Sequence, residues 1–145
     1  MSVEIRKAER EDLNKIVKMW YKLATDHQEM MEGYELCDDS KEKWREFVEK
    51  GFEKKGMCTF VAETDNGLVG FLNVVIRERL GIFKEKRIGM ILDVFVKERE
   101  RGKGYGSKLI ESAEEWIKNK EVKIAVLTVS PRNEKGVDYW EDKGY

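Results

Sequence analysis

Between Val94 and Ile110 an apolar, strand-like run passes through three glycines in five positions and directly into an amphipathic helical period. Glycines at such a junction let backbone N–H groups turn towards a ligand with no side chain in the way. The helix after them opens with unsatisfied N–H groups and a partial positive charge. Arg101 and Lys103 add positive potential, so the stretch Arg101, Gly102, Lys103, Gly104, Tyr105, Gly106 and Ser107 reads as a site for phosphate or pyrophosphate. Two familiar phosphate loops do not fit. The Walker pattern fails because Gly106 is followed by Ser107 and Lys108 in the wrong order. The dinucleotide pattern fails because Gly102, Gly104 and Gly106 lack its third spacing. What fits is R-x-x-G-x-G, running from Arg101 to Gly106.

The surroundings of this loop alternate between strand and helix signals. Residues 3–8 alternate apolar and polar, as a half-buried strand does. From about Arg10, Leu13, Ile16, Val17, Trp20, Leu23 and Ala24 recur on one helix face. Asp38, Asp39 or Ser40 can cap a second helix, with Trp44, Phe47, Val48, Gly51 and Phe52 as its stripe. Strand chemistry resumes at 57–63 and 68–76, joined by a hairpin at Asn66 and Gly67. A charged connection, 77–86, leads to a third apolar run at 88–96. Residues 107–119 return to helical period, 122–130 read as strand and 133–143 as a short last helix. With no repeat, linker or low-complexity stretch, residues 1–145 are expected to form one mixed α/β domain.

Composition removes several classes of chemistry. Hydrophobic residues make up 41% of 145, enough for a core. Lys and Arg number 28 against 29 Asp and Glu, and that balance argues against a nucleic-acid partner. No apolar run approaches the roughly 18 residues of a membrane span, and the polar first thirty residues carry no secretory signal. Cys37 and Cys58 form no C-x-x-C, and His27 is the sole histidine, so no zinc or Cys/His cluster can be assembled and no metal is expected. Without a G-x-S-x-G motif, His27 reads as a helix-end or surface residue. Two unpaired cysteines fit a reducing cytoplasm.

The R-x-x-G-x-G pattern, lying between a Val-x-Val strand and a Leu-Ile helix, resembles the acetyl-CoA motif of the GCN5-related N-acetyltransferase (GNAT) family. Leu92 to Val96 resembles that family's central strand. Asn133 and the ending from Trp140 to Tyr145 resemble its N-x-x-A…Y-E-K-x-G-F tail, with Gly136 at the alanine, and the opening from Ile5 to Ala8 with Asp12 is also similar. The resemblance implies an α/β (α+β) fold with a central mixed, mostly antiparallel sheet and helices on both faces. Relatives continue into one or two more strands past the position of Tyr145, so the expected sheet lacks its last strand or strands, and a homodimer could complete it. It further implies acetyl-CoA as cofactor, with the amides of Gly102 to Ser107 on its pyrophosphate and Arg101 closing over it. Main-chain groups of Val94, Phe95 and Val96 would pair with the pantetheine arm like an added strand, and Asn133 would touch the cofactor further along. The implied reaction is direct attack of a primary amine on the acetyl carbonyl, an acyltransferase reaction without a covalent enzyme intermediate. The alternative on the same fold is an acyl-CoA-binding sensor or partner subunit.

The implied catalytic groups are Asp93 and Tyr139. Asp93 lies beside the cofactor strand where relatives carry an acidic base, and its other reading is a salt-bridge carboxylate. The tyrosine that protonates the leaving thiolate in relatives aligns with Trp140, whose indole cannot act as an acid. Tyr139, one position away, is about 100° round the helix. Finally, residues 26–42 hold seven acids, from Asp26 to Glu42, against Lys41 alone. In this family that region borders the acceptor, which suits a cationic amine, while helix capping is the plainer reading.

Overall fold

In the computed structural model, residues 2–127 and 134–145 are described, with the side chains of 134–137 left aside. Four of the strands are β1 (Glu4–Lys7), β2 (Met57–Thr64), β3 (Gly67–Glu78) and β4 (Arg87–Val96), of which β2 and β3 are near-continuous apolar runs buried on both faces. The fifth, β5, spans Ala125–Leu127. Helical periods give α1 (Leu13–Met30), α2 (Ser40–Gly51), α3 (Tyr105–Asn119) and α4 (Glu134–Asp142). The strands form one sheet in the order β1-β2-β3-β4-β5, antiparallel except for the parallel β4–β5 pair.

Two apolar layers sandwich the sheet. On one side Leu109, Ile110, Ala113 and Ile117 of α3 meet Leu72, Val74 and Ile91 of the strands. On the other, Leu13, Ile16 and Met19 of α1 and Val48 of α2 cover Val61, Phe71, Val75 and Phe95. This is the α+β arrangement expected, with helices on both faces. Phe47 departs from its expected place on the buried stripe of α2 and is exposed, while Val48 and Gly51 of that stripe are buried. The β2–β3 hairpin closes as expected, with Gly67 taking the left-handed conformation. Among the described residues no helix is long and apolar enough to cross a membrane.

Arg6 of β1 ties the start of α1 to the sheet. Its guanidinium donates to both oxygens of Asp12, at 2.7 and 3.0 Å, and to Glu63 at 3.2 Å. The hydrogen bonds from Arg6 hold the Asp12 carboxyl below the usual carboxylate range, despite its burial. Asp12 in turn accepts from the Glu9 N–H at 2.8 Å.

A β-bulge in β4 decides where the sheet opens. Asn73 of β3 faces Asp93 while Val74 faces Ile91, so Leu92 is the extra residue. β5 pairs only with Gly89, Met90 and Ile91, immediately before the bulge. Among the described residues, Leu92 to Val96 therefore have no strand on that side.

Candidate active site

Beyond the bulge, main-chain direction alternates residue by residue. The Lys97 N–H donates to the Val69 carbonyl at 2.8 Å, so Lys97, Phe95 and Asp93 turn their backbone groups to β3. Val94 and Val96 turn theirs to the open side. Of the three strand residues expected to meet the cofactor, Phe95 is thus engaged with β3 through its main chain and with the α1 layer through its ring. The Val96 carbonyl is taken by the Nε of Arg101, at 2.9 Å. Among the described residues, the N–H and C=O of Val94 and the N–H of Val96 remain without a strand partner.

The glycine loop comes next along the chain. Gly102 (φ +80°) and Gly104 (φ +85°) both occupy the left-handed region, and Gly104 is the cap from which α3 begins. Among the described residues no backbone carbonyl accepts from the N–H groups of residues 102–107, while Lys108 N–H returns to Gly104 at 3.2 Å. A row of unpaired amides at a helix start is an anion cradle. The two basic side chains of the loop act as braces. Arg101 holds Val96, and Lys103 Nζ binds Glu100 at 2.8 Å. Glu100 is buried and also accepts from Asn66 Nδ2 at 3.2 Å, which links the loop to the β2–β3 hairpin. Its pairing with Lys103 holds its carboxyl low. A surface-like run of charges gave no hint of Glu100's place.

Beside the open stretch of β4 lies a cavity of about 430 Å³. Helix α1 gives it Trp20, Leu23 and His27, the loop after α1 gives Met31 and Tyr34, and α4 gives Trp140. Asp93 is half-buried at its floor. Burial pushes the Asp93 carboxyl up, opposed by a hydrogen bond from Asn73 Nδ2 at 3.3 Å and by the proximity of His27. Asn73 is fully buried, and its Oδ1 accepts from the hydroxyl of buried Thr59. Thr59, Asn73 and Asp93 are register partners on β2, β3 and β4, so they form a polar line across three strands of an apolar sheet face. The sequence signalled Asp93 only by resemblance. Thr59 and Asn73 sit at alternating positions that read as ordinary strand, and their partnership exists only once the register is known. His27 is the exposed helix-end residue expected, yet it also borders the cavity.

Trp140, which aligns with the acid of relatives, and its neighbour Tyr139 face different surroundings. Trp140 is buried in the cavity wall, edge-to-face with Tyr139 and Tyr145. Tyr139 is partly exposed, and its hydroxyl lies 3.0 Å from Ser107 Oγ on the first turn of α3. Asn133 lies outside the described residues. None of the seven acids of residues 26–42 is among the described residues lining the cavity. Asp26 pairs with Lys22 at 2.9 Å and Asp39 with Lys43 at 3.3 Å.

Residues 17–145 match the Acetyltransferase (GNAT) family. An "uncharacterized N-acetyltransferase" of Archaeoglobus fulgidus is 31% identical over 134 residues, covering 90% of this chain and 84% of its own. Another from Methanocaldococcus jannaschii is 25% identical over 142 residues, and there the chain spans 59% of the relative's length. Among solved structures, a predicted acetyltransferase from Clostridium acetobutylicum with acetyl-CoA superposes at a TM-score of 0.82, with 16% identity, covering 99% of this chain and 90% of that one. The aminoglycoside N-acetyltransferase AAC(6')-Iy in complex with CoA gives 0.80 at 19% identity, covering 99% and 88%.

Proposed function

The chain belongs to the GNAT acetyltransferase family, and from that premise we propose that it moves an acetyl group from acetyl-CoA to a primary amine by direct attack in a ternary complex. One observation carries the reading: the open stretch of β4 runs from a cavity floored by Asp93 into a cradle of unpaired amides at the start of α3. That is the geometry an extended arm ending in pyrophosphate needs. The amides of residues 102–107 hold the pyrophosphate, with Tyr139 and Ser107 at its side. Val94 and Val96 pair with the arm, and the Val94 N–H polarises the thioester oxygen.

Acetyl-CoA supplies the activated acetyl group: the amine nitrogen forms a bond to the carbonyl carbon as the C–S bond breaks and CoA leaves as its thiolate. Asp93 accepts the proton that an arriving ammonium must lose before it can attack. A carboxyl raised by burial suits this, because a base works best when its pKa lies near the working pH. Asn73 is a positioning residue that fixes the Asp93 oxygen and favours its ionised form. The second N–H proton goes to solvent or the thiolate. Tyr139, 3.0 Å from Ser107, serves the loop rather than the thiolate, so catalysis rests on positioning and on Asp93.

A thiol-release assay with acetyl-CoA and a panel of primary amines tests the reading. Turnover that rises with pH and vanishes in Asp93→Asn is expected. Tight acetyl-CoA binding with no turnover of any amine between pH 6 and 10 would overturn it in favour of the acyl-CoA sensor. Cys37 and Cys58, neither of them in a disulfide, suit a reducing cytoplasm as the place of action.

A further inference from the structure

The walls of the cavity specify more than an amine. Among the described residues lining it, Asp93 is the sole carboxylate, and the rest of the wall is aromatic and aliphatic apart from His27 at the rim. Resting on the reading of this cavity as the place where amine meets thioester, we infer that the acceptor is a monoamine carried on an apolar, aromatic body, of the arylalkylamine kind.

Charge is the first argument. One carboxylate at the floor answers one ammonium. A polyamine or aminoglycoside would bring further ammonium groups against the side chains of Trp20, Leu23 and Met31, none of which carries a charge to pair with them, and desolvating an unpaired charge is costly. The acids of residues 26–42 do not relieve this, because none of them lines the cavity and two are held by lysines of their own helices.

Shape is the second. Trp20 is stacked on Trp44 at 4.8 Å between centroids and 11° between planes, and Trp44 meets Phe71 edge-on at 5.8 Å. Trp140 is held between Tyr139 at 5.2 Å and Tyr145 at 5.3 Å. The two indoles are therefore fixed before anything binds, and fixed aromatic walls favour a flat ligand at little entropic cost. Size agrees as well. A cavity of about 150 Å³ suffices for benzene, so about 430 Å³ holds one ring system together with the end of a thioester arm.

The test measures kcat/KM for 2-phenylethylamine, tryptamine, spermidine and kanamycin with the full chain and saturating acetyl-CoA. A preference of at least about tenfold for the arylalkylamines is expected, the scale on which apolar pockets discriminate. Equal or better turnover of spermidine or kanamycin overturns the inference. A parallel titration of the CoA-loaded protein monitors quenching of tryptophan fluorescence, which reads binding without chemistry. Saturable quenching by phenylethylamine and not by spermidine, in a protein that turns over neither, would uphold this inference while removing the acetyl-transfer reading. Absence of both quenching and turnover with the arylalkylamines overturns it. Trp20→Ala should raise the KM for phenylethylamine and leave that for acetyl-CoA unchanged. Met31→Glu, which adds a carboxylate to the half-buried wall without removing an aromatic, should move the preference towards spermidine by about tenfold. If neither variant changes the relative kcat/KM, these residues do not select the acceptor and the inference fails.

Discussion

The glycine loop presents main-chain amides, whereas the adjoining cavity presents side chains, from α1, the loop after it, β4 and α4 among others. The loop needs little from its own side chains: Arg101 and Lys103 are occupied in holding Val96 and Glu100. The cavity depends on which side chains are present, and Asp93, the one carboxylate among the described residues lining it, is raised by burial and lowered by Asn73 and His27. Backbone recognition is insensitive to side-chain substitution, whereas a side-chain lining changes with each substitution. The two regions should accordingly fail in different ways when altered.

The largest expected effect is catalytic and belongs to the cavity. Asp93→Asn should lower kcat on the order of 10²- to 10⁴-fold, the usual worth of a positioned base, with acetyl-CoA affinity by calorimetry unchanged. Loss of acetyl-CoA binding in this variant would break the division between the regions. Next, Gly104→Glu should raise the acetyl-CoA Kd roughly 100-fold or more, since only about 2.8 kcal/mol is needed for that factor. The left-handed φ of +85° and a new carboxylate in an anion cradle both act against binding, while circular dichroism should show the fold retained.

Asn73→Leu sharpens the comparison from within. It removes a hydrogen bond that favours ionised Asp93, so the carboxyl should rise further and the acid limb of the kcat/KM profile should move to higher pH. Each pH unit of that movement lowers the rate on the acid side about tenfold. Thr59 also loses its acceptor, at about 1–3 kcal/mol of stability in a urea melt. An unmoved acid limb would leave Asn73 a merely structural residue.

Asp12→Asn is the smallest change and lies outside both regions. It should cost about 1–3 kcal/mol by weakening the pair with Arg6. Because folding lowers the Asp12 pKa, the wild-type advantage is full above the unfolded value and fades as pH falls through the folded one. Denaturant melts between pH 2 and 7 read this directly.

The same division explains what the sequence disclosed. The loop was legible because its chemistry lies in consecutive positions: three glycines, a preceding strand and a helix directly after. The succession of elements along the chain was legible for a related reason, since Asn66 and Gly67 fix one hairpin and periodicity fixes the helices. The polar line from Thr59 to Asp93 was not, because it joins residues on three strands through register and a bulge that no local pattern announces. Phe95 shows the limit of reading a motif as a unit: it is one of three consecutive strand residues, but alternation gives its backbone to β3. The acids of 26–42 form a conspicuous run, yet it is the apolar residues between them, Met31, Tyr34 and Leu36, that line the cavity.

The bulge at Leu92 has a consequence for exchange with solvent. Before it, β4 amides are locked between two strands; after it, the amides of Val94 and Val96 have no β5 partner among the described residues. In deuterated buffer these two should exchange early while their neighbours Asp93 and Phe95, bonded to β3, stay protonated. Adding CoA should slow Val94 and Val96 alone on this strand, giving an alternating footprint that reports the bound arm without any turnover.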